Sequence, residues 1–318
     1  MKRSFPIQQD GVIYLSEGGQ ETELMYKFGH ELPEFAMYPL LDNPRAVADL
    51  TGMYQRYLDV AVRHGCTPLM GGLDYRASPD WAAKLGLSRA ALADLQHRSI
   101  GFLRDVARPY AGQMPDALIV GTIGPRGDAY ALNRTITADE AEDYHSVQLE
   151  TLVAGSVDLV NAMTFNNVAE AVGVARAAAR AGLPLLISFT LDSNRRLKSG
   201  PTLKAAIERV DAEAGEARPA FYGVNCSHPL EFGPALEPGA WLTRIRSLRP
   251  NAAMMDKQQL CSIGHLVDGD PPTLGEQMAA FAAGNPHIYI WGGCCGTWER
   301  HLDHIAANVL AVRGARPS

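Results

Sequence analysis

The sequence predicts a single-domain α/β protein, a (β/α)8 TIM barrel in which eight parallel strands close on themselves inside a ring of helices. Three observations predict this fold. Short apolar runs of β type alternate with longer segments of helical periodicity, as in βα units around a parallel sheet. Eight runs of each kind fit in the 318 residues, somewhat more than the roughly 250 residues typical of such barrels. No low-complexity linker divides the chain, so we expect one domain over residues 1–318.

Each predicted strand is a short apolar run, and each predicted helix follows it with small and apolar residues at helical spacing. In chain order the predicted strands are 12–16, 67–71, 117–122, 158–163, 184–190, 220–225, 252–256 and 287–291. The helices predicted after them are 44–64, 89–111, 138–154, 168–181, 202–214, 239–248, 273–283 and 297–312. Segments 19–41 and 191–200 are left as long loops at the carboxyl ends of strands, where barrels carry their active sites.

A doubly wound sheet is the alternative fold for an alternating pattern. Such sheets commonly bind a dinucleotide through a GxGxxG motif after the first strand. The first predicted strand here is followed by Glu17-Gly-Gly-Gln-Glu21, which lacks this motif. The barrel is therefore favoured.

Composition and charge restrict the kinds of partner. The net charge of -6 and the absence of a run of Lys and Arg argue against nucleic-acid binding, so a small molecule is expected instead. The sequence contains no run of about 18 apolar residues, so no membrane span is predicted. The first ten residues include Pro6 and polar residues where a signal peptide would have its apolar core. We expect a soluble, cytoplasmic protein, and the sequence leaves open whether it forms homo-oligomers.

Five cysteines form an odd and sparse set that does not resemble a disulfide framework, so reduced thiols are expected. Cys226 directly follows the sixth predicted strand, and Cys294 and Cys295 directly follow the eighth. In a barrel these three thiols face one mouth. Cys66 and Cys261 lie in other contexts and are expected to be structural.

Three thiolates at a catalytic mouth match a zinc site whose fourth position is open, and thiolates are soft ligands that favour zinc over harder ions. Glycines at 292, 293 and 296 would allow both adjacent cysteines to face one ion. The alternative is a glycine-rich turn with buried, inert cysteines. An open thiolate-bound zinc would take a substrate thiol as its fourth ligand and lower its pKa, which favours alkyl transfer to sulfur.

The sequence resembles the homocysteine S-methyltransferase family of zinc-dependent barrels over essentially its whole length. The segments GGCCGT at 292–297 and VNCSHP at 224–229 are similar to the two zinc-ligand motifs of that family. Weaker similarity is found at 17–24, 121–130, 158–164 and 187–203. The resemblance implies Zn²⁺ bound by Cys226, Cys294 and Cys295. It also implies methyl transfer from a sulfonium or quaternary ammonium donor to a zinc-activated thiol, homocysteine or a related one, as in methionine biosynthesis.

Several positions depart from the family pattern where it holds the amino-acid part of homocysteine. Glu17 stands for the usual Asp and Glu21 for a Gly, while Met163 stands for the Glu that usually precedes Thr164. The Thr-Asn-Thr of the second block is replaced by 72–74, which precedes Tyr75 and Arg76. The acceptor is therefore expected to be a thiol that need not be homocysteine.

Six residues are candidates for substrate binding on these grounds: Glu17, Gly18, Gly19, Thr164, Asn225 and Arg76. For Arg76 we hypothesise bidentate binding of a carboxylate or other anion of the donor or acceptor. The alternative is a structural ion pair with Asp74 or Asp80. No catalytic residue is predicted beyond the activated thiol.

Two other functions use the same mouth. A zinc-dependent hydrolase or lyase would carry water as fourth ligand, which three negative thiolates disfavour because they weaken the Lewis acidity of the metal. A non-catalytic thiol-binding or zinc-binding barrel is the second alternative. No nucleotide or redox cofactor is expected, and a corrinoid or folate donor is disfavoured because the chain has no module to carry one.

Overall fold

Eight parallel strands close into a barrel in the computed structural model, which describes residues 12–131, 135–255 and 263–314. Each strand pairs with the next in the chain, and β1 closes the barrel by pairing with β8. The strands are β1 Tyr14–Ser16, β2 Thr67–Met70, β3 Leu118–Ile123, β4 Leu159–Phe165, β5 Leu185–Phe189, β6 Phe221–Asn225, β7 Ile245–Arg249 and β8 Ile290–Trp291. The predicted fold class is confirmed.

Helices lie between successive strands and cover the outside of the barrel. They are α1 Gln20–Tyr26, α2 Pro44–His64, α3 Pro79–Lys84, α4 Arg89–Ala107, α5 Ala138–Ala154, α6 Val168–Ala181, α7 Leu203–Ala214, α8 Pro229–Phe232, α9 Pro271–Gly284 and α10 Glu299–Val312. Among the helices of the described ranges, none is both long and apolar enough to cross a membrane.

Helices α2, α5 and α6 have the predicted bounds because their ends carry strong local signals. The side chains of Asn43, Thr137 and Asn167 accept hydrogen bonds from the first backbone N–H groups of these helices. Helices α2 and α6 end at Gly65 and Gly182, which adopt left-handed conformations with φ of 63° and 72°.

Two apolar layers pack against the two faces of the barrel strands. The smaller lies among the strands of the barrel and is made of Tyr14, Leu69, Val120, Leu159, Leu186, Phe221, Tyr289 and Ile290. The larger joins the outer faces of the strands to the helices, and includes Leu58 of α2 and Val172 of α6. Strand residues alternate between these layers, as barrel geometry requires. The carboxyl ends of the strands are left for polar groups.

The seventh strand was wrongly predicted. It occupies Ile245–Arg249, which overlaps the end of the segment 239–248 that was predicted as a helix, and it is preceded by a short 3-10 helix at Ala240–Arg244. The predicted strand 252–256 is irregular over its described part, and Met254 is 64% exposed. The apolar run in that segment resembled a strand, whereas the true strand carries Ser247 and Arg249, which are polar and buried.

Candidate metal and substrate site

The three predicted cysteines meet at the carboxyl-terminal mouth of the barrel. Their Sγ atoms all lie within 4.8 Å of one another, although 68 residues separate Cys226 from Cys294. Cys226 follows β6, while Cys294 and Cys295 lie in the loop after β8. Cys226 and Cys294 are almost fully buried, and Cys295 is partly exposed. Cys66 is fully buried in the larger apolar layer, and Cys261 lies outside the described residues.

The backbone conformation directs these sulfurs to one point. Cys226 has a φ of 52°, in the left-handed region that non-glycine residues rarely adopt. Gly296, directly after Cys295, has a φ of 79° and lets the loop turn sharply. Loop 294–297 is closed by hydrogen bonds from the Thr297 backbone N–H and hydroxyl to the Cys294 carbonyl. Such strain in a non-glycine residue is typical of functional sites.

The donor set fits a zinc ion. Three sulfurs bound to one tetrahedral zinc at about 2.3 Å lie about 3.8 Å apart. The Sγ atoms of Cys226 and Cys295 are 3.8 Å apart. Cys226 and Cys294 form a disulfide in the structure, so a metal requires the reduced form. After reduction, three thiols lie close together and form a soft ligand set with room for a fourth ligand.

The glycines after β1 allow close packing against the cysteine loop. Gly19 N donates to the Thr297 carbonyl at 2.9 Å, and a Cβ at Gly19 would collide with the Cys294 carbonyl. A Cβ at Gly18 would lie 2.6 Å from the Thr297 carbonyl oxygen. Both glycines also line the cavity described below. They therefore bring the first strand's loop against the cysteines.

Asn225 and Thr164 form a hydrogen-bonded pair beside the cysteines. Thr164 has a φ of 64°, which is strained for a β-branched residue. The Asn225 side chain accepts from Thr164 N and donates to Thr164 Oγ1, both at 2.9 Å, and its amide also lies 3.8 Å from Cys294 Sγ. Asn225 is fully buried and is not among the described residues that line the cavity. Its observed contacts are with Thr164 and Cys294, so its role in substrate binding stays a prediction.

Glu17 is neutralised by a residue that sequence reasoning missed. Arg249, at the end of β7, is 4% exposed and forms an ion pair with the Glu17 carboxylate at 3.2 Å. The guanidinium also donates to the carbonyls of Glu17 and Gly293 and to Met163 Sδ. Arg249 was not identified from the sequence because the seventh strand was predicted in the wrong place. The only sequence signal for the end of the true strand was Pro250, which directly follows a run of alternating apolar and polar residues.

A cavity of about 520 Å³ opens above the cysteines. Its inner end is lined by Glu17, Met163, Thr164, Arg249 and the three cysteines. Its outer wall is largely aromatic and is made of Tyr26, Phe35, Tyr75, Trp81 and Tyr130. The site thus combines a thiol cluster, an apolar wall and a few fixed charges, the usual composition of a small-molecule site.

Arg76 lies in the cavity wall without a carboxylate partner. The side chain is 8% exposed and donates from Nη1 to the Gly127 carbonyl at 2.7 Å, while its buried Nε has no hydrogen-bond partner. The guanidinium carbon lies 4.2 Å from the Trp81 ring centroid. No described carboxylate forms an ion pair with it: Asp80 pairs with Arg126, and Asp74 accepts from Thr122 N. The structural alternative proposed for Arg76 is not observed.

Two acidic residues near the mouth have raised pKa values. Burial raises the pKa of Asp74 to about 7, but Asp74 is not among the described residues that line the cavity. Burial also raises the pKa of Glu21 to about 6, with partial compensation from Arg249 and Arg76. Glu21, in α1, does line the cavity.

A family model for homocysteine S-methyltransferase matches residues 14–309, which is nearly the whole chain. The chain belongs to the homocysteine S-methyltransferase family. This is the family that the sequence predicted.

Curated relatives are distant and consistent with this family. Methionine synthase of Mycobacterium tuberculosis is 26% identical over 230 residues, which cover 70% of this chain and 18% of that protein. Betaine–homocysteine S-methyltransferase 1 of Mus musculus is 25% identical over 227 residues, which cover 67% of this chain and 54% of that protein. The chain thus matches about half, or less, of the length of these relatives.

Among solved structures, the metallated form of the Escherichia coli homocysteine methyltransferase MmuM has a TM-score of 0.71 and 21% identity. The match covers 94% of this chain and 96% of that one. The oxidised form of the same protein gives the same values. At this identity the likeness concerns the fold, which agrees with the closed barrel.

Proposed function

We propose that this protein is a zinc-dependent S-methyltransferase that moves a methyl group from a sulfonium or quaternary ammonium donor to a thiol, homocysteine or a related one. The observation that carries the proposal is the convergence of Cys226, Cys294 and Cys295 at the inner end of the cavity. Family membership supports the reaction type. The three reduced cysteines would hold Zn²⁺, and the cavity would admit the acceptor and the donor.

Zinc bound by three thiolates supplies one thing, a lowered pKa of the acceptor thiol, so that no dedicated base is needed at neutral pH. The protein's own residues do the rest. The Asn225 amide holds Thr164 and Cys294 in place, and the loop 294–297 fixes the direction of Cys295. Aromatic side chains give the cavity an apolar wall, and an apolar site favours transfer of a methyl group from a cation that leaves as a neutral molecule.

The aromatic outer wall suits a cationic donor. Sulfonium and quaternary ammonium groups bind to the faces of aromatic rings, and Tyr26, Phe35 and Tyr130 line this part of the cavity. Asp128, at the exposed rim, adds negative charge there. Cytoplasmic location and self-association stay predictions.

Zinc analysis and a transfer assay test the proposal. We expect the reduced protein to bind one zinc per chain and to methylate a thiol in the presence of a sulfonium or quaternary ammonium donor. Cys294→Ser should lower bound zinc and transfer rate at least about tenfold, because one of three thiolates is lost. Cys66→Ala is the matched control, since Cys66 is buried away from the cluster and should leave zinc content unchanged.

Each alternative has a distinct outcome. Zinc binding without methyl transfer to any thiol in a broad panel would contradict the methyltransferase proposal and favour a binding barrel. Hydrolysis or elimination of the donor in the absence of a thiol would favour the hydrolase or lyase. Equal zinc content in Cys294→Ser and the unmodified protein would contradict the ligand assignment.

A further inference from the structure

Below its exposed rim, the cavity contains two charged side chains of opposite sign that lack an ionic partner. Glu21, in the first turn of α1, takes part in no ion pair with the residues of the described ranges. Arg76, after β2, takes part in none either, and its Nε is buried without a hydrogen-bond partner. Both side chains line the same cavity above the cysteines. A carboxylate and a guanidinium held apart in one site form a dipolar pocket.

The other charged groups of the cavity have ionic partners or lie at the exposed rim. Glu17 and Arg249 pair with each other at 3.2 Å, and Ser16 also donates to the Glu17 carboxylate. At the rim, Glu34 pairs with Lys84, and Asp128 accepts a hydrogen bond from Tyr130 N. The two charges that a ligand would have to neutralise are therefore Glu21 and Arg76.

Glu21 and Arg76 are both held in place by neighbouring residues. Thr22, next to Glu21, accepts a hydrogen bond from Gly296 N at 3.1 Å, which ties the start of α1 to the cysteine loop. Arg76 is fixed by the Gly127 carbonyl and by stacking on Trp81. Nε makes no hydrogen bond, and a guanidinium edge that includes Nε can bind a carboxylate through two parallel hydrogen bonds.

We propose that Glu21 and Arg76 are the specificity-determining residues for the head group of a zwitterionic acceptor thiol, with Glu21 binding its ammonium group and Arg76 its carboxylate. This inference rests on the proposed function for the role of the cysteines. The hydrogen bond from the cysteine loop to Thr22 places Glu21 close to the cysteines, where the thiol of the acceptor would bind. The acceptor should therefore have only a short carbon chain between its thiol and its ammonium group. Glu17 is excluded from ammonium binding because Arg249 neutralises it.

Four thiols and two variants test the assignment of each charge. The thiols are homocysteine, 4-mercaptobutyrate without the ammonium, 3-aminopropane-1-thiol without the carboxylate, and propane-1-thiol without either. Trimethylsulfonium serves as donor because it has no head group to occupy the site. The variants are Glu21→Gln and Arg76→Met, with Glu34→Gln as a control for an acid at the rim that already has a partner.

Each variant should affect only thiols that carry the matching charge. Glu21→Gln should raise KM for homocysteine and 3-aminopropane-1-thiol about tenfold or more, and leave KM for 4-mercaptobutyrate within about twofold. Arg76→Met should raise KM for homocysteine and 4-mercaptobutyrate about tenfold or more, and leave KM for 3-aminopropane-1-thiol within about twofold. Equal effects on all charged thiols, or none on homocysteine, would overturn the proposal.

Binding to the zinc-free protein separates this inference from the proposed function. L-methionine carries the zwitterionic head group but no free thiol, and its dissociation constant can be measured by calorimetry without catalysis. We expect each variant to raise that constant about tenfold, with Glu34→Gln unchanged. Unchanged binding in Glu21→Gln and Arg76→Met would overturn the head-group assignment. If the unmodified, zinc-loaded protein did not methylate propane-1-thiol, that result would instead contradict the zinc-dependent transfer.

Discussion

Glu17 and Arg249 show how one buried charge can alter the role of another. Glu17 alone would be a free carboxylate near the cysteines, suited to an ammonium group. Arg249 is buried beside it and also contacts Met163 Sδ, so the pair forms a neutral floor for the cavity. A buried ion of either kind is costly without its partner, which makes exchange of Arg249 for a ligand ammonium unfavourable.

Protonation of Glu21 gives a pH dependence with a definite sign. Burial raises the pKa of Glu21 to about 6, and the charged groups facing it are Arg249 from β7, Glu17 from the loop after β1 and Arg76 from the loop after β2. The carboxylate is therefore charged above about pH 6 and neutral below it. Ammonium binding should weaken as pH falls through that value.

We expect kcat/KM for homocysteine, divided by the value for Glu21→Gln, to fall towards one as pH decreases from 7.5 to 5. The ratio cancels the titration of the thiol and of groups shared by both proteins. For 4-mercaptobutyrate, which lacks the ammonium, the same ratio should stay flat. A ratio for homocysteine that does not change with pH would contradict the role given to Glu21.

The ends of β4 and β6 are joined by side-chain hydrogen bonds, although both strands pair with β5 and not with each other. Asn225 at the end of β6 bonds both the backbone and the hydroxyl of Thr164 in β4 and reaches Cys294. Thr164 could not keep its left-handed φ of 64° without such a partner. The geometry of the thiol cluster thus depends on an amide that does not line the cavity.

We expect Asn225→Ala to weaken zinc binding about tenfold to a hundredfold, the usual cost of losing a residue that orients a metal ligand. Competition with a chromophoric chelator measures this affinity directly. Asn161→Ala is the matched control, because Asn161 is also a buried strand asparagine and bonds Ser188 instead of a cysteine. An equal loss of zinc affinity in both variants would indicate a general effect of destabilisation rather than positioning.

Strand β7 shows why part of the site could not be predicted. Sequence patterns locate strands by apolar runs, and β7 carries Arg246, Ser247 and Arg249 in five residues. The charge of Arg249 is tolerated in the barrel only because Glu17 neutralises it, and that partner lies 232 residues away. Capped helices such as α2 were predicted to the residue, since their signals are local.

The closed barrel explains why the thiol cluster was predictable while the head-group site was less so. Residues directly after parallel strands meet at one mouth, so the positions of Cys226, Cys294 and Cys295 follow from strand order. Glu21 and Arg76 lie in longer loops whose paths depend on packing, such as stacking of Arg76 on Trp81. Loop geometry of this kind has no periodic signal in the sequence.

A metal at the thiol cluster would join distant parts of the barrel and should stabilise all of it. Cys226 follows β6 and the other two cysteines follow β8, with β7 between them. A ligand that binds only the folded state stabilises it by about 2.7 kcal/mol at a concentration 100 times its dissociation constant. For a chain of this size we expect zinc to raise the Tm of the reduced protein by about 5 °C or more.

Differential scanning calorimetry with and without zinc measures the shift, and the state of the cysteines provides the controls. Cys66→Ala should keep the shift, whereas Cys294→Ser should lose most of it. Oxidation before zinc addition should also abolish it, because the Cys226 and Cys294 sulfurs are then bonded to each other and can no longer both bind the ion. A zinc-induced shift of equal size in the oxidised protein or in Cys294→Ser would place the stabilising ion elsewhere, since neither form retains three thiolates at the mouth.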